Sequence, residues 1–325
     1  MNNLSDLHKL LPEPEMWEYN GHLAFFNTCD NYDLDFLKAL LLKKISRSNN
    51  ALKYIQICSA IPNKPLFCLG LAVQASTAGD IKDSIRLLIN VIKSLRINTS
   101  PLHIACEYGL LNVVTSLVSE TRDINAQDYL GWTPMHWAAW LNEAQILQLL
   151  IKNGASIEAR GNHNETPFYL AAFNGHLEAS KILLDNNANM SVHNTLSHTP
   201  LHLVSYNEHL HIMSLMLSYG ANIDIRSDIR YTTPLHVAAW HGKLKSAIYL
   251  LDNGCDINAR MINGCTPLHR ATLNGKTGLI VLLLNRGANI DAVDLLGRTP
   301  ILCARKNKHL EAYKVLLLRG ADINK

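Results

Sequence analysis

Histidine and cysteine are the residue types in this chain best equipped for chemistry, as metal ligands, general bases or nucleophiles. Five histidines share one setting: His103, His136, His202, His236 and His269 each follow a Ser or Thr by three positions and a Pro by two. A recurrent imidazole of this kind raises the idea of a row of metal ligands, since neutral His is the commonest one. Catalytic patterns are absent from the sequence: it has no HExxH, no GxSxG, no phosphate-binding GxxxxGK[ST] and no dinucleotide-binding glycine fingerprint. His209 and His211 alternate instead of standing four apart, which suits exposed polar residues better than a ligand pair. Cys29, Cys58, Cys68, Cys106, Cys255, Cys265 and Cys303 are odd in number and include no CxxC pair, so neither a disulfide framework nor a zinc site is expected. That usage fits a reducing compartment. No catalytic residue, metal or cofactor is predicted.

The element that positions the histidines is a repeat. Ser100-Pro101-Leu102-His103 is followed by Thr133-Pro134-Met135-His136, Thr166-Pro167, Thr199-Pro200-Leu201-His202, Thr233-Pro234-Leu235-His236, Thr266-Pro267-Leu268-His269 and Thr299-Pro300. The steps are 33, 33, 33, 34, 33 and 33 residues. This period with this tetrapeptide resembles the ankyrin repeat, in which a turn and two short helices stack into a curved rod. The fold class expected is therefore all-α: an ankyrin-repeat solenoid with a helical N-terminal cap. In such a rod equivalent histidines lie about 10 Å apart, several times a metal–ligand bond of about 2 Å, so a structural role is expected instead. The His ring can bond the Thr hydroxyl and the backbone of the neighbouring turn.

The other recurrent residues have their own reasons. Each Thr, or Ser100, is a natural N-cap, and the Pro after it occupies a helical position whose N–H would be unpaired anyway. Small residues such as Ala138-Ala139, Ala171-Ala172 and Ala238-Ala239 let the first helix lie close to its neighbour. Gly109, Gly175, Gly242 and Gly275 supply the left-handed conformation that ends it, with Glu208 and Lys308 at that place in repeats four and seven. Apolar spacing such as Val113, Val114, Leu117 or Ile146, Leu149, Leu150 marks the buried stripe of the second helix. Repeat five carries one extra residue near 229–232, with Tyr231 where the turn Gly normally sits, so its turn should be the least regular.

Three segments are expected: a helical N-terminal cap region over 1–62, a degenerate ankyrin-like repeat over 63–96, and seven repeats over 97–325. Leu34–Ile45 reads as an amphipathic helix, with further helical stretches to Ile97 and a break at Pro62 and Pro65. Leu11-Pro12 bears a slight similarity to an F-box, but Pro14 stands where an acidic residue is expected and the leucine spacing does not fit. Net charge is +3, from 30 basic and 27 acidic residues, which gives no concentrated basic face for nucleic acid. The basic last repeat (Arg298, Arg305, Lys306, Lys308, Lys314, Arg319) reads as a solvated cap. No apolar run is long enough to cross a bilayer, and the first six residues lack a secretory pattern. A cytoplasmic monomer is expected.

Function must then lie in a binding surface. The resemblance implies contacts from the concave face: turn-tip residues, the residue before each Thr, and the two before the helix-ending Gly. The seventh residue after each Thr or Ser reads Glu107, Trp140, Phe173, Tyr206, Trp240, Leu273 and Lys306. Four consecutive aromatics should form a ladder of about 30 Å at the spacing of packed helices. With turn tips added, the predicted partner-binding residues are Tyr129, Leu130, Trp132, Trp140, His163, Phe173, His198, Tyr206, Arg230 and Trp240. The partner expected is a protein. The alternative is an adaptor or translocated bacterial effector whose residues 1–95 recruit a second partner, such as ubiquitin-ligase machinery. The abundance of Asn, Ile and Lys, which hints at an AT-rich genome, would suit that reading. The resemblance also implies that Asn125, Asn258 and Asn324, each following a Leu and Asp-Ile, match the spacing that asparagine hydroxylases modify, although Asn is in any case a good turn former.

Overall fold

The computed structural model describes residues 99–323. The expected cap region, the degenerate repeat, the F-box-like Leu11-Pro12 and the adaptor segment all lie outside the described residues. So do Cys29, Cys58, Cys68 and the target asparagine Asn324.

Among the described residues are fourteen helices and no strand. They pair as α1 (Pro101–Glu107) with α2 (Leu111–Glu120), α3 (Pro134–Trp140) with α4 (Ala144–Lys152), α5 (Pro167–Asn174) with α6 (Leu177–Asp185), and α7 (Pro200–Asn207) with α8 (Leu210–Ser218). The series continues with α9 (Pro234–His241) and α10 (Leu244–Asp252), α11 (Pro267–Leu273) and α12 (Thr277–Asn285), and α13 (Pro300–Lys306) and α14 (Leu310–Leu318). Odd-numbered helices form one layer and even-numbered helices the other, each element touching its own partner and its neighbours in the stack. Packing between successive helices is closer within the odd layer than within the even one.

Each odd helix starts at the Thr or Ser in extended conformation with Pro at the first helical position. The Thr166 hydroxyl accepts from the Tyr169 N–H at 3.2 Å, the capping bond the spacing predicts. Left-handed residues end the odd helices, Gly175 at φ 75° and, without glycine's freedom, Glu208 at φ 58°. A left-handed residue with a side chain costs about 1–2 kcal/mol, so neighbouring contacts must hold Glu208 there; its carboxylate accepts from the Lys245 N–H of the next repeat. The odd helices are buried almost all round, as the alanine pairs require. The even helices bury one stripe, for example Ile146, Leu147 and Leu150 in α4.

The histidines make a seam between repeats. In repeat two, the Thr133 N–H donates to His136 Nδ1 at 3.0 Å, so that nitrogen is unprotonated and Nε2 carries the proton. Nε2–H donates to the Glu165 carbonyl of the next repeat at 3.1 Å. His103 reaches the Trp132 carbonyl, His202 that of Thr232, His236 that of Cys265 and His269 that of Arg298, at 2.8–3.1 Å. Repeat three has Tyr169 at this position, and there the Asn194 side-chain amide of repeat four donates to the Tyr169 hydroxyl at 2.6 Å. The structural reading of these histidines holds.

The turn of repeat five is the least regular, as its extra residue requires. Elsewhere the turn closes with an N–H three residues on, as Gly131 to Asp128; here Tyr231 donates to Ser227, four residues back. Tyr231 is left-handed at φ 55°. Neighbouring turn tips are joined by a backbone bond, Asn162 to Leu130, Thr195 to His163, Ile262 to Arg230 and Leu295 to Asn263. Among the described residues no such bond joins repeat four to repeat five; His193 Nε2 meets the Asp228 carboxylate at 2.8 Å instead. The end repeat carries its exposed cations as expected, but Leu310 (69% exposed) and Leu318 (84%) stand in solvent with them, so that end is not purely a charged cap.

Two stability outcomes follow. Thr166→Ala should lower the unfolding free energy by about 1 kcal/mol through the lost cap, measured by denaturant titration. Burial lowers the pKa of all five seam histidines, to about 4 for His136 and about 3 for His202 and His236. Their folded values lie below the unfolded one of about 6.5, so the unfolded chain binds more protons in that window. Stability should therefore be complete above about pH 6.5 and fall as pH drops toward 4, by up to about 1.4 kcal/mol per pH unit for each histidine. A flat urea midpoint between pH 7 and 4.5 would contradict the neutral seam.

Candidate functional site

The face presented by the odd helices and the turn tips holds the predicted contact residues, and the structure sorts them into distinct roles. Trp140, at the end of α3, is half-buried and stacks on Phe173 of α5 with ring centroids 6.2 Å apart and planes 14° from parallel. Tyr206 and Trp240, the next two of the row, take other partners. Tyr206 meets His241 edge-on at 4.7 Å and has Lys243 Nζ 4.8 Å from its ring centre. The Arg270 guanidinium lies 3.4 Å over the Trp240 ring. The ladder is thus a stacked pair in repeats two and three, then a mixed cation–aromatic cluster in repeats four to six.

Trp132 is a correction. Expected on the contact surface, it is only 5% exposed. Its ring lies 4.9 Å from Trp137, 5.6 Å from Trp140 and 6.2 Å from the His136 ring, and its indole N–H donates to the buried Glu165 carboxylate. It is the floor beneath Trp140. A large ring one residue before the cap folds inward because the next repeat supplies an acceptor for its single polar atom. His198 is half-buried as well, edge-on to His202 at 5.7 Å; burial and the nearby Arg230 charge lower its pKa to about 4.

Tyr129 (48% exposed), His163 and Arg230 do stand at exposed turn tips, with Leu130 half-buried between them and the floor. Asp128 organises the turn of repeat two: one oxygen accepts from the Leu130 and Trp132 N–H groups, the other from Trp137 Nε1. In repeat three Glu165 does comparable work, its second oxygen accepting from the His163 N–H at 2.8 Å.

Two sets of residues at this surface escaped the sequence reading. The first holds the aromatic row from behind. Asn174 Nδ2 and His176 Nε2 both donate to the Trp140 carbonyl, at 3.0 and 2.9 Å. Asn207 and His209 do the same to the Phe173 carbonyl, and His309 to that of Leu273. His209 and His211 are thereby explained, since His211 donates to the Gly175 carbonyl at 2.8 Å. The recurrence of Asn-x-His at Asn174 and Asn207 was the available signal. The second set is apolar: Ile229 (63% exposed), Ile262 (55%), Leu295 (73%) and Leu296 (74%) occupy the turn tips of repeats five to seven.

Cys106, Cys255, Cys265 and Cys303 are buried and free, and burial pushes the Cys303 thiol up to about 11, the reverse of what a nucleophile needs. Among the described residues no group of His, Cys, Asp or Glu could hold a metal ion. No helix of theirs is long and apolar enough to cross a membrane.

The contrast between Trp132 and Trp140 is testable. Trp132→Ala should cost about 3–5 kcal/mol, as for other buried aromatic truncations, and leave one Glu165 oxygen without its indole donor. Trp140→Ala, half-exposed, should cost clearly less. Equal unfolding midpoints for the two variants would overturn the assignment of floor and surface.

The comparisons agree with this geometry. The model described as ankyrin repeats (3 copies) matches residues 69–161, 123–194, 168–261 and 259–325. Comparison with curated protein sequences gives no match. Among solved structures, the ankyrin repeat domain of Bcl-3, described as a unique member of the IkappaB protein family, is 28% identical with a TM-score of 0.60, over 67% of this chain and 99% of that one. The human ASB11 ankyrin repeat domain is 26% identical with a TM-score of 0.60, over 69% of this chain and 99% of that one. Repeat period, paired helices and histidine seam agree with that match over more than half the chain: it belongs to the ankyrin-repeat family.

Proposed function

We propose that this chain is a non-catalytic recognition module that holds a partner protein, as a monomer, along the odd-helix face of repeats two to five. Ankyrin repeats are in general protein–protein interaction modules. The observation that carries the finer reading is the half-exposed Trp140–Phe173 stack, whose backbone is pinned by paired donors from the following repeat. Rings held this way lose little freedom on binding, which is why aromatic anchors dominate interface energetics. Tyr129, His163 and Arg230 at the tips would form the polar rim, with Tyr206 and Trp240 continuing the face. Trp132 supports the surface without joining it.

The test is retention of a partner from eukaryotic lysate by immobilised full-length chain, wild type against the double variant Trp140→Ala/Trp240→Ala. The variant should keep the helical circular dichroism signal and lose about tenfold or more in binding. A folded variant that retains every partner equally would move the site off this face.

A further inference from the structure

Charge is uneven along the odd-helix face. In repeats one and two burial raises the pKa values of Glu107 and Glu143, Glu107 to about 7 with Asp128 adding to the effect, so these carboxyls carry less charge than usual. At repeats four to six the same face gathers cations on aromatic rings. Arg270 lies over Trp240, Lys243 over Tyr206, and the Lys276 chain crosses Gly242, 3.1 Å from where a Cβ on that residue would stand. His241 sits among them against Tyr206, and burial with the charges of Lys243, Arg270 and Lys276 lowers its pKa to about 4. Among the described residues neither Lys243, Lys276 nor Arg230 forms an ion pair, whereas cations elsewhere on the rod do, as Arg286 with Asp252 and Arg298 with Asp294.

From this juxtaposition we infer that repeats four to six dock an acidic peptide segment of the partner protein, its carboxylates on Lys243 and Lys276 and its apolar side chains on Tyr206 and Trp240. The inference rests on the recognition reading above and gives the partner its chemistry. Charge complementarity selects the occupant. A cation held on a ring face is partly stripped of water and oriented, so a carboxylate meets it at reduced desolvation cost. A long polyanion such as nucleic acid fits less well, because it needs a row of many cations and this cluster offers few. The exposed tips Ile229 and Ile262 in the same repeats offer further apolar contact.

The test is binding, by fluorescence anisotropy with full-length chain, of a dye-labelled peptide of alternating glutamate and leucine, its glutamine counterpart, and single-stranded oligo(dT). The glutamate peptide should bind at least about tenfold more tightly than the glutamine one, with an advantage that shrinks as salt rises. Lys243→Glu/Lys276→Glu should remove that preference, and Lys243→Gln/Lys276→Gln should reduce it, covering the case in which charge reversal disturbs folding. Equal binding of the glutamate and glutamine peptides, or an unchanged preference in both folded variants, overturns the inference. Preference for oligo(dT) over the glutamate peptide overturns it in favour of nucleic acid. If peptide binding is lost in Trp140→Ala/Trp240→Ala but shows no charge preference, the recognition face stands and only the acidic partner falls.

Discussion

Among the described residues each repeat packs on its neighbours in the stack, so every element depends on the contact between successive repeats. The histidine bridge is the polar centre of that contact. One imidazole accepts from the backbone of its own cap and donates to a carbonyl of the next repeat, which removes two buried unpaired groups at once. Only the neutral ring can do both, and burial keeps it neutral. Around this bridge the alanines permit close approach and the even helices supply apolar stripes worth about 1.5–3 kcal/mol for each large side chain buried. A solenoid built so has stability that is close to a sum over neighbours, with no remote contact to compensate for a weak interface.

The odd-helix face inherits its rigidity from the same logic. The carbonyls at Trp140 and Phe173 point back into the stack and are held by Asn and His side chains of the following repeat, so the rings are fixed from behind while their outer surfaces stay available. Where the repeat pattern is broken, at the wider turn of repeat five, the seam survives because the extra residue is absorbed within the turn and His202 still reaches the Thr232 carbonyl. What is lost there is the backbone bond between turn tips, and Ile229 and Tyr231 stand exposed beside the gap. Irregularity is thereby confined to the turn tips and kept out of the core.

These features follow an order along the rod. Stacked aromatics lie at repeats two and three, cations over aromatics at repeats four to six, and exposed apolar tips at repeats five to seven. Energies are local here, of about 0.5–2 kcal/mol for each ring–ring or ring–cation contact, so no single contact dominates the face.

The sequence alone determined the period, the caps, the helix ends and the structural role of the histidines, because each depends on a few neighbouring residues and recurs in register. Thr166, Gly175, Tyr231 and His136 could be read one at a time from local geometry. Burial of individual rings could not. Trp132 and Trp140 are eight residues apart with the same side chain, yet one is core and the other surface, since the deciding partner, Glu165, comes from the next repeat. Likewise Trp240 owes its setting to Arg270, and Tyr206 to His241 and Lys243, none of which its own repeat supplies. Register specifies where a side chain begins; only the stacked neighbour, with its acceptors, cations and rings, decides where it ends.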